Sequence, residues 1–334
     1  MTKSRPHMPS RDRGQLSSIN NPDDGTPIRE MFTLGERLLL ITDKCIYALQ
    51  MADQIDPERT NTALPPNVQQ KLFDHGIQSE LLCRSLLHAK VLFRKEFQTI
   101  DIEHAMQLAF DAFSDMVEME DLANVFLAIQ DKAIAKARSL ESNDSSMTLP
   151  AVGNVRAHCK SYMQKADHVA VALISITRLF LPELKGKSWT DLLKLVKDRY
   201  GEADNFYKTA ESIVPFLQLV RNGRDCLEHA NARGAVVRDF ELQPDGHIAL
   251  PTIEIDFRGS KQERCQVGLF MNDMLISMQA AFEMLTLHCC AKGIQPFAGM
   301  PMTIGLLNEN YQKAWHVRFA YGAYYADGKF VPCG

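Results

Sequence analysis

The hydrophobic residues of this chain recur mainly at helical spacing, in stretches separated by polar segments. In the first stretch a capping-box pattern, Thr33 followed three residues later by Glu36, precedes apolar positions at Leu38, Ile41, Cys45, Ala48 and Ala52. Similar patterns cover residues 66–94 and 101–137. Together they predict an all-helical N-terminal domain.

The second half of the chain carries further helical patterns, over residues 155–181, 189–199, 204–229 and 263–291. After Gly234 the period changes, and apolar residues alternate with polar ones on both sides of the turn sequence Pro-Asp-Gly at 244–246. This alternation predicts a β-hairpin over 235–258, inserted between two helices. The aromatic end of the chain has a β-like pattern as well.

Two segments lack any such period. Residues 1–28 are polar with hardly a large apolar residue, which predicts a flexible arm, and the turn formers in 141–154 predict a linker. We therefore expect a mainly α protein with a helical domain over 29–140 and a helical bundle over 155–295 that contains the hairpin. A short β-like segment over 296–334 follows the bundle.

Composition adds broad limits. The chain has 334 residues, 46% of them hydrophobic and 23% charged, as an ordinary globular protein does. Its net charge of −4 offers no overall attraction for nucleic acid, although the second helical region holds more basic than acidic residues. We see no apolar run of membrane-spanning length and no signal-like start, and expect a cytoplasmic protein without membrane contact.

The sequence lacks a Gly-rich phosphate loop, spaced metal ligands and a nucleophile motif. One stretch nevertheless carries residues that are suited to phosphate chemistry. At the end of the helix predicted over 204–229, Arg224 is followed by Asp225 and, after four intervening residues, by His229. A guanidinium binds phosphate and an imidazole transfers protons near neutral pH. We predict a phosphate-handling site there, with no metal and no cofactor.

The order of these elements, with Arg, four residues and His closing the third helix of the bundle, resembles the HEPN superfamily over roughly residues 154–292. The resemblance implies a bundle of four or five helices that dimerises so that two such helix ends face each other. Many members are metal-independent ribonucleases, and others are scaffolds. It further implies RNA as a partner, a homodimer, a regulatory protein as a further partner, and a role in a defence or toxin system.

Under this resemblance each residue of the stretch has an expected role. His229 is the general acid or base, Arg224 clamps the scissile phosphate, and Asp225 orients a partner side chain, either within its own chain or across the dimer. We add Arg221 and Asn222 as candidate phosphate- or RNA-binding residues, since either Arg221 or Arg224 fits the role of the functional arginine. Positions 224 and 229 lie about 140° apart around a straight helix. The helix therefore has to unwind near Glu228, or the working pair forms between subunits.

A simpler interpretation stays open. Arg224 and Glu228 have the i,i+4 spacing of an ion pair, and the helix dipole favours a histidine at a helix C-terminus. The alternative function is a noncatalytic helical module for dimerisation or for nucleotide or protein binding. Enclosure of His229 in an apolar core would count against the nuclease, as would a buried Arg224–Glu228 pair far from any dimer interface.

Overall fold

The structure is a computed structural model that describes residues 7, 8, 11, 24–139, 147–186, 188–229, 234–297, 299–325 and 328–333. Most of the predicted arm over 1–28 and residues 141–146 of the predicted linker lie outside the described residues. The chain divides into two compact units. The first comprises Met1–Cys83 and Asn308–Val317, and the second comprises Arg84–Leu307 and Arg318–Gly334.

The first unit is built on an antiparallel four-stranded sheet whose strands follow one another in chain order. They are β1 (Glu30–Leu34), β2 (Arg37–Ile41), β3 (Ile46–Met51) and β4 (Asn67–Phe73). Short helices α1 (Ala52–Ile55) and α2 (Glu80–Leu82) follow β3 and β4, and the helix Glu309–Trp315 also belongs to this unit. One face of the sheet buries Leu40, Cys45, Tyr47 and Leu49.

The helix predicted over 33–52 is therefore wrong, because β1, β2 and β3 occupy this region. Gly35 has φ +57° and sits at the first central position of the two-residue turn that pairs Leu34 with Arg37, where glycine is favoured. Residues 38–41 and 46–49 are continuous apolar runs, and such runs match a helical period as readily as a buried strand. Burial against neighbouring strands decides between helix and strand for these residues. Those neighbours are in place only in the folded sheet.

Four long helices form the core of the second unit. They are α4 (Ile102–Ser139), α5 (Val155–Phe180), α7 (Asn205–Glu228) and α8 (Val267–Gly293). Helix α5 packs against the other three and buries Tyr162, Met163, Leu173 and Ile176 completely. The π-helical turn Cys83–Leu87 leads into α3 (His88–Leu92), and α6 (Trp189–Tyr200) packs on α7.

Helix α8 is long and apolar enough to cross a membrane by length and composition alone, so the expectation that no apolar segment reaches that length is wrong. More than half of its most apolar window is buried inside the protein. Its contacts with α4, α5 and α7 account for the apolar composition, because a helix that is covered on several sides is hydrophobic all round.

The second unit also contains strands, in three small sheets within the described residues. β5 (Ala235–Arg238), β8 (Thr252–Phe257) and β9 (Ser260–Gln266) form one, β6 (Glu241–Leu242) and β7 (Ile248–Ala249) a second, and β10 (Thr303–Leu306), β11 (Phe319–Tyr324) and β12 (Phe330–Pro332) a third. With about 51% helix and 20% strand, the protein is mixed α/β, and the predicted mainly α class is wrong. Most of the error comes from the N-terminal sheet, whose short strands resemble pieces of amphipathic helix.

Candidate functional site

Helix α7 presents the predicted motif at its C-terminal end. The helix begins after Asp204, whose side chain caps it by accepting a hydrogen bond from the Phe206 amide at 2.8 Å. It ends at Glu228, and His229 follows with extended backbone angles of −89° and 113°. The His229 amide still donates to the Asp225 carbonyl at 3.1 Å, so His229 occupies the next helical position and the chain leaves the helix after it.

The carbonyls at this helix end are capped by an arginine from α5. Arg156 donates through Nη2 to the Cys226 carbonyl at 2.9 Å and through Nη1 to the Ala235 carbonyl, the start of β5, at 3.2 Å. A cation is favoured here because the last carbonyls of a helix lack intrahelical partners and carry partial negative charge. Arg156 thus ties together α5, the end of α7 and the first strand after it.

Arg224 is held by carboxylates of its own chain. Its Nε and Nη2 donate to Asp167 Oδ2 on α5 at 3.1 and 2.9 Å. Its Nη1 lies 3.1 Å from Asp225 Oδ1 and 3.2 Å from Glu228 Oε2. Partial burial opposes the charge of Arg224, but the hydrogen bonds and charge of Asp167, followed by Asp225 and Glu228, raise its pKa above the ordinary value. The guanidinium is therefore fixed in orientation and permanently charged.

Asp225 and Asn222 face the turn between β8 and β9. Asp225 Oδ2 accepts from Arg258 Nη1 at 3.0 Å, and Asn222 Nδ2 donates to Ser260 Oγ at 2.9 Å. Both residues thus bind the helix to the hairpin within one chain. Arg221 is exposed on the same helix.

The His229 side chain is exposed, and within the described residues its ring makes no hydrogen bond or ion pair. Since the helix does not unwind before His229, Arg224 and His229 stay about 140° apart around α7. The structure brings Arg224 together with Asp225, but it does not bring Arg224 and His229 onto one face.

Each carboxylate around Arg224 has a cationic partner. Among the described residues, Asp167, Asp225 and Glu228 are matched by Arg224, Arg258 and Lys160, whose Nζ lies 3.9 Å from Glu228 Oε1. Lys160 and Arg258 are 44% and 63% exposed, whereas the Asp167 side chain is 11% exposed. A polyanion approaching from solvent meets these two cations, the exposed ring and the Glu228 carboxylate before it meets the buried Asp167 carboxylate.

Sequence reasoning missed three residues of this site: Arg156, Asp167 and Arg258. Asp167 had a signal, because it is the one acidic residue of α5, and the structure shows that it is almost fully buried. A buried carboxylate requires a cation or hydrogen-bond donors from a neighbouring element. Arg258 stands before Gly259 in the turn between two strands, and only the fold shows that this turn reaches α7.

An open cleft of about 770 Å³ lies in the first unit. Its lining includes Asp24, Asp43, Lys71 and Asp74, together with Cys45 as a candidate nucleophile. Burial, followed by the hydrogen bond to Asp74, raises the pKa of the Cys45 thiol, and the thiol stays protonated near neutral pH. The cleft therefore lacks an activated cysteine.

Comparison of the chain with protein-family models, with curated proteins and with solved structures found no match.

Proposed function

We propose that this protein is a metal-independent endoribonuclease whose reacting groups lie at the C-terminal end of α7. One observation carries the proposal: His229 is exposed at the helix end, about 1.4 turns beyond an arginine that Asp167 holds by two hydrogen bonds. An exposed imidazole transfers protons to and from bound substrate. A pre-oriented guanidinium stabilises negative charge without reorganising during the reaction.

The reaction is an internal transesterification. The ribose 2′-oxygen attacks phosphorus and gives its proton to an imidazole, while the bond to the 5′-oxygen breaks and that oxygen takes a proton from an acid. The products are a 2′,3′-cyclic phosphate and a 5′-hydroxyl. Arg224 would hold a non-bridging phosphate oxygen through its Nη1 edge, once the exposed Glu228 side chain turns away.

Two proton transfers require two groups, and among the described residues a single helix end offers one exposed imidazole. Arg224 and His229 also lie on different faces of α7. A homodimer that places two such helix ends opposite each other supplies both imidazoles and brings Arg224 of one copy towards His229 of the other. The proposal therefore includes dimerisation, with RNA as substrate. The regulatory partner and the role in defence remain expectations from the family resemblance.

The test is cleavage of a mixed RNA pool in EDTA by the wild type and by His229→Ala and Arg224→Lys. The lysine keeps the charge near Asp167 but loses the planar fork, and this choice limits the damage to folding. His247→Ala is the matched control, because His247 is another exposed histidine of the same unit, in the turn between β6 and β7. Thermal melts check that every variant folds.

We expect the wild type and the His247 variant to produce cyclic-phosphate ends, and the other two variants to lose at least about a hundredfold in rate, the usual contribution of an acid–base group for His229 and of a charge-stabilising donor for Arg224. Equal cleavage by the wild type and His229→Ala would rule out His229 as a reacting group, and equal cleavage by Arg224→Lys would rule out Arg224 as the phosphate clamp. Absence of cleavage by all of them, with the dimer intact, would favour the second candidate.

That second candidate is a noncatalytic module for dimerisation or for binding a nucleotide or protein. A specific observation favours it: every guanidinium nitrogen of Arg224 already lies within 3.2 Å of a carboxylate of its own chain. In this role Arg224 joins α5 to α7. Replacing Arg224 would then lower the free energy of unfolding, and there would be no catalytic activity for the replacement to change.

A further inference from the structure

The turn between β8 and β9 is held against the C-terminal end of α7. Phe257 pairs with Ser260, and the turn residues Arg258 and Gly259 have φ angles of +52° and +81°. Positive φ at both central positions is the geometry of a type I′ hairpin, in which the first position is strained for an arginine. The Asn222–Ser260 hydrogen bond of 2.9 Å holds this turn against α7.

Arg258 is the most exposed cation of the cluster around Arg224. Its side chain is 63% exposed, its Nη1 lies 3.0 Å from Asp225 Oδ2, and its guanidinium stacks over the Phe257 ring at 4.7 Å. Within the described residues its Nε and Nη2 make no hydrogen bond. One edge of the guanidinium is thus anchored while the other faces solvent.

We infer that Arg258 binds a backbone phosphate of single-stranded RNA at the helix end, next to the phosphate held by Arg224. The inference rests on the proposed function, since it extends the substrate contact of the same site. Asp225 and Phe257 hold the guanidinium beside α7, and the open edge donates two N–H groups to phosphate oxygens. Asp225 accordingly positions Arg258 as well as contacting Arg224.

The test measures RNA binding separately from cleavage. His229→Ala, which prevents cleavage, serves as the parent, and a fluorescent single-stranded RNA is titrated by anisotropy at several salt concentrations. Arg258→Ala is compared with Lys261→Ala, which removes an equally exposed charge from the same hairpin, where Lys261 pairs with Glu263. Arg258→Lys tests the need for the planar fork.

Loss of one phosphate contact is expected to raise Kd about tenfold, near the lower end for a hydrogen bond to a charged group. It should also reduce the slope of log Kd against log salt by about 0.7, the single-strand value for one phosphate. The lysine variant should keep the slope and bind more weakly than the parent, and Lys261→Ala should change neither quantity. If Arg258 only held the hairpin against α7, Arg258→Ala would leave the slope of log Kd against log salt unchanged.

An unchanged slope for Arg258→Ala overturns the inference, even if the wild type cleaves RNA and the proposed function stands. RNA binding with the expected loss at Arg258 supports the inference even if no cleavage is found and the proposed function fails. A parent that binds no RNA overturns the inference, while the cleavage assay still decides the proposed function by itself.

Discussion

His88, in the core of the second unit, should make folding stability depend on pH. Its side chain is fully buried, and Nε2 lies 3.0 Å from Thr286 Oγ1. That hydroxyl donates its single hydrogen to the Phe282 carbonyl at 2.7 Å, so Nε2 of the neutral ring is the donor to Thr286. Nδ1 is then an unprotonated nitrogen without a hydrogen-bond partner in the described structure.

Burial is the main reason that the pKa of His88 falls from 6.5 to about 3, and the charges of Arg318 and Arg84 lower it further, against a backbone contact with Glu283. These arginines bind the buried Glu283 carboxylate, each at 2.9 Å from Oε2. Below pH 6.5 the unfolded chain binds a proton that the folded chain excludes, and stability therefore falls as pH falls. The loss approaches about 1.4 kcal/mol per pH unit and totals about 2 kcal/mol between pH 8 and pH 5.

The assay is urea unfolding at several pH values between 8 and 5, above the range in which carboxylates titrate. Trp189 is buried in the second unit and reports on it, once Trp315 of the first unit is replaced by Phe. His88→Gln keeps an N–H donor for Thr286 and removes the titration. Its free energy of unfolding should fall by about 2 kcal/mol less than that of the parent over this range.

His104→Gln is the control, because His104 is an exposed histidine on α4 in the same unit. Its pH dependence should match the parent. If the parent and His88→Gln lose the same free energy between pH 8 and pH 5, the buried neutral imidazole is not the cause and the reasoning fails.

Two further predictions concern stability. A double-mutant cycle of Asp167→Ala and Arg224→Ala should give a coupling energy of about 1–3 kcal/mol, since each single variant leaves a partly buried charge without its main partner; additive effects would exclude the pair as a helix–helix link. Gly76→Ala should destabilise the first unit by at least about 2 kcal/mol, because an added Cβ would lie 2.3 Å from the Asp43 carbonyl carbon and the backbone cannot yield as a side-chain tip does. Unfolding of a Trp189→Phe background, followed by Trp315, measures this, and an unchanged midpoint would contradict it.

Several features followed from the sequence alone. The period of apolar residues predicted the long helices in the second half of the chain. A buried stripe at helical spacing runs through many turns, so single positions that deviate from it do not hide the pattern. The change of period after Gly234 marked the strands that begin at β5. The Arg224 to His229 stretch was identifiable as a candidate site because it combines a guanidinium and an imidazole near one helix end.

The tertiary structure decided what local pattern leaves ambiguous. Whether 38–41 and 46–49 are helix or strand depends on cross-strand partners such as Leu40 and Tyr47, which pair only in the folded sheet. The environment of Arg224 depends on Asp167, separated from it by 57 positions and brought near by the packing of α5 on α7. Electrostatic partners are set by distances in space, and the spacing of residues along one helix carries no information about a neighbouring helix.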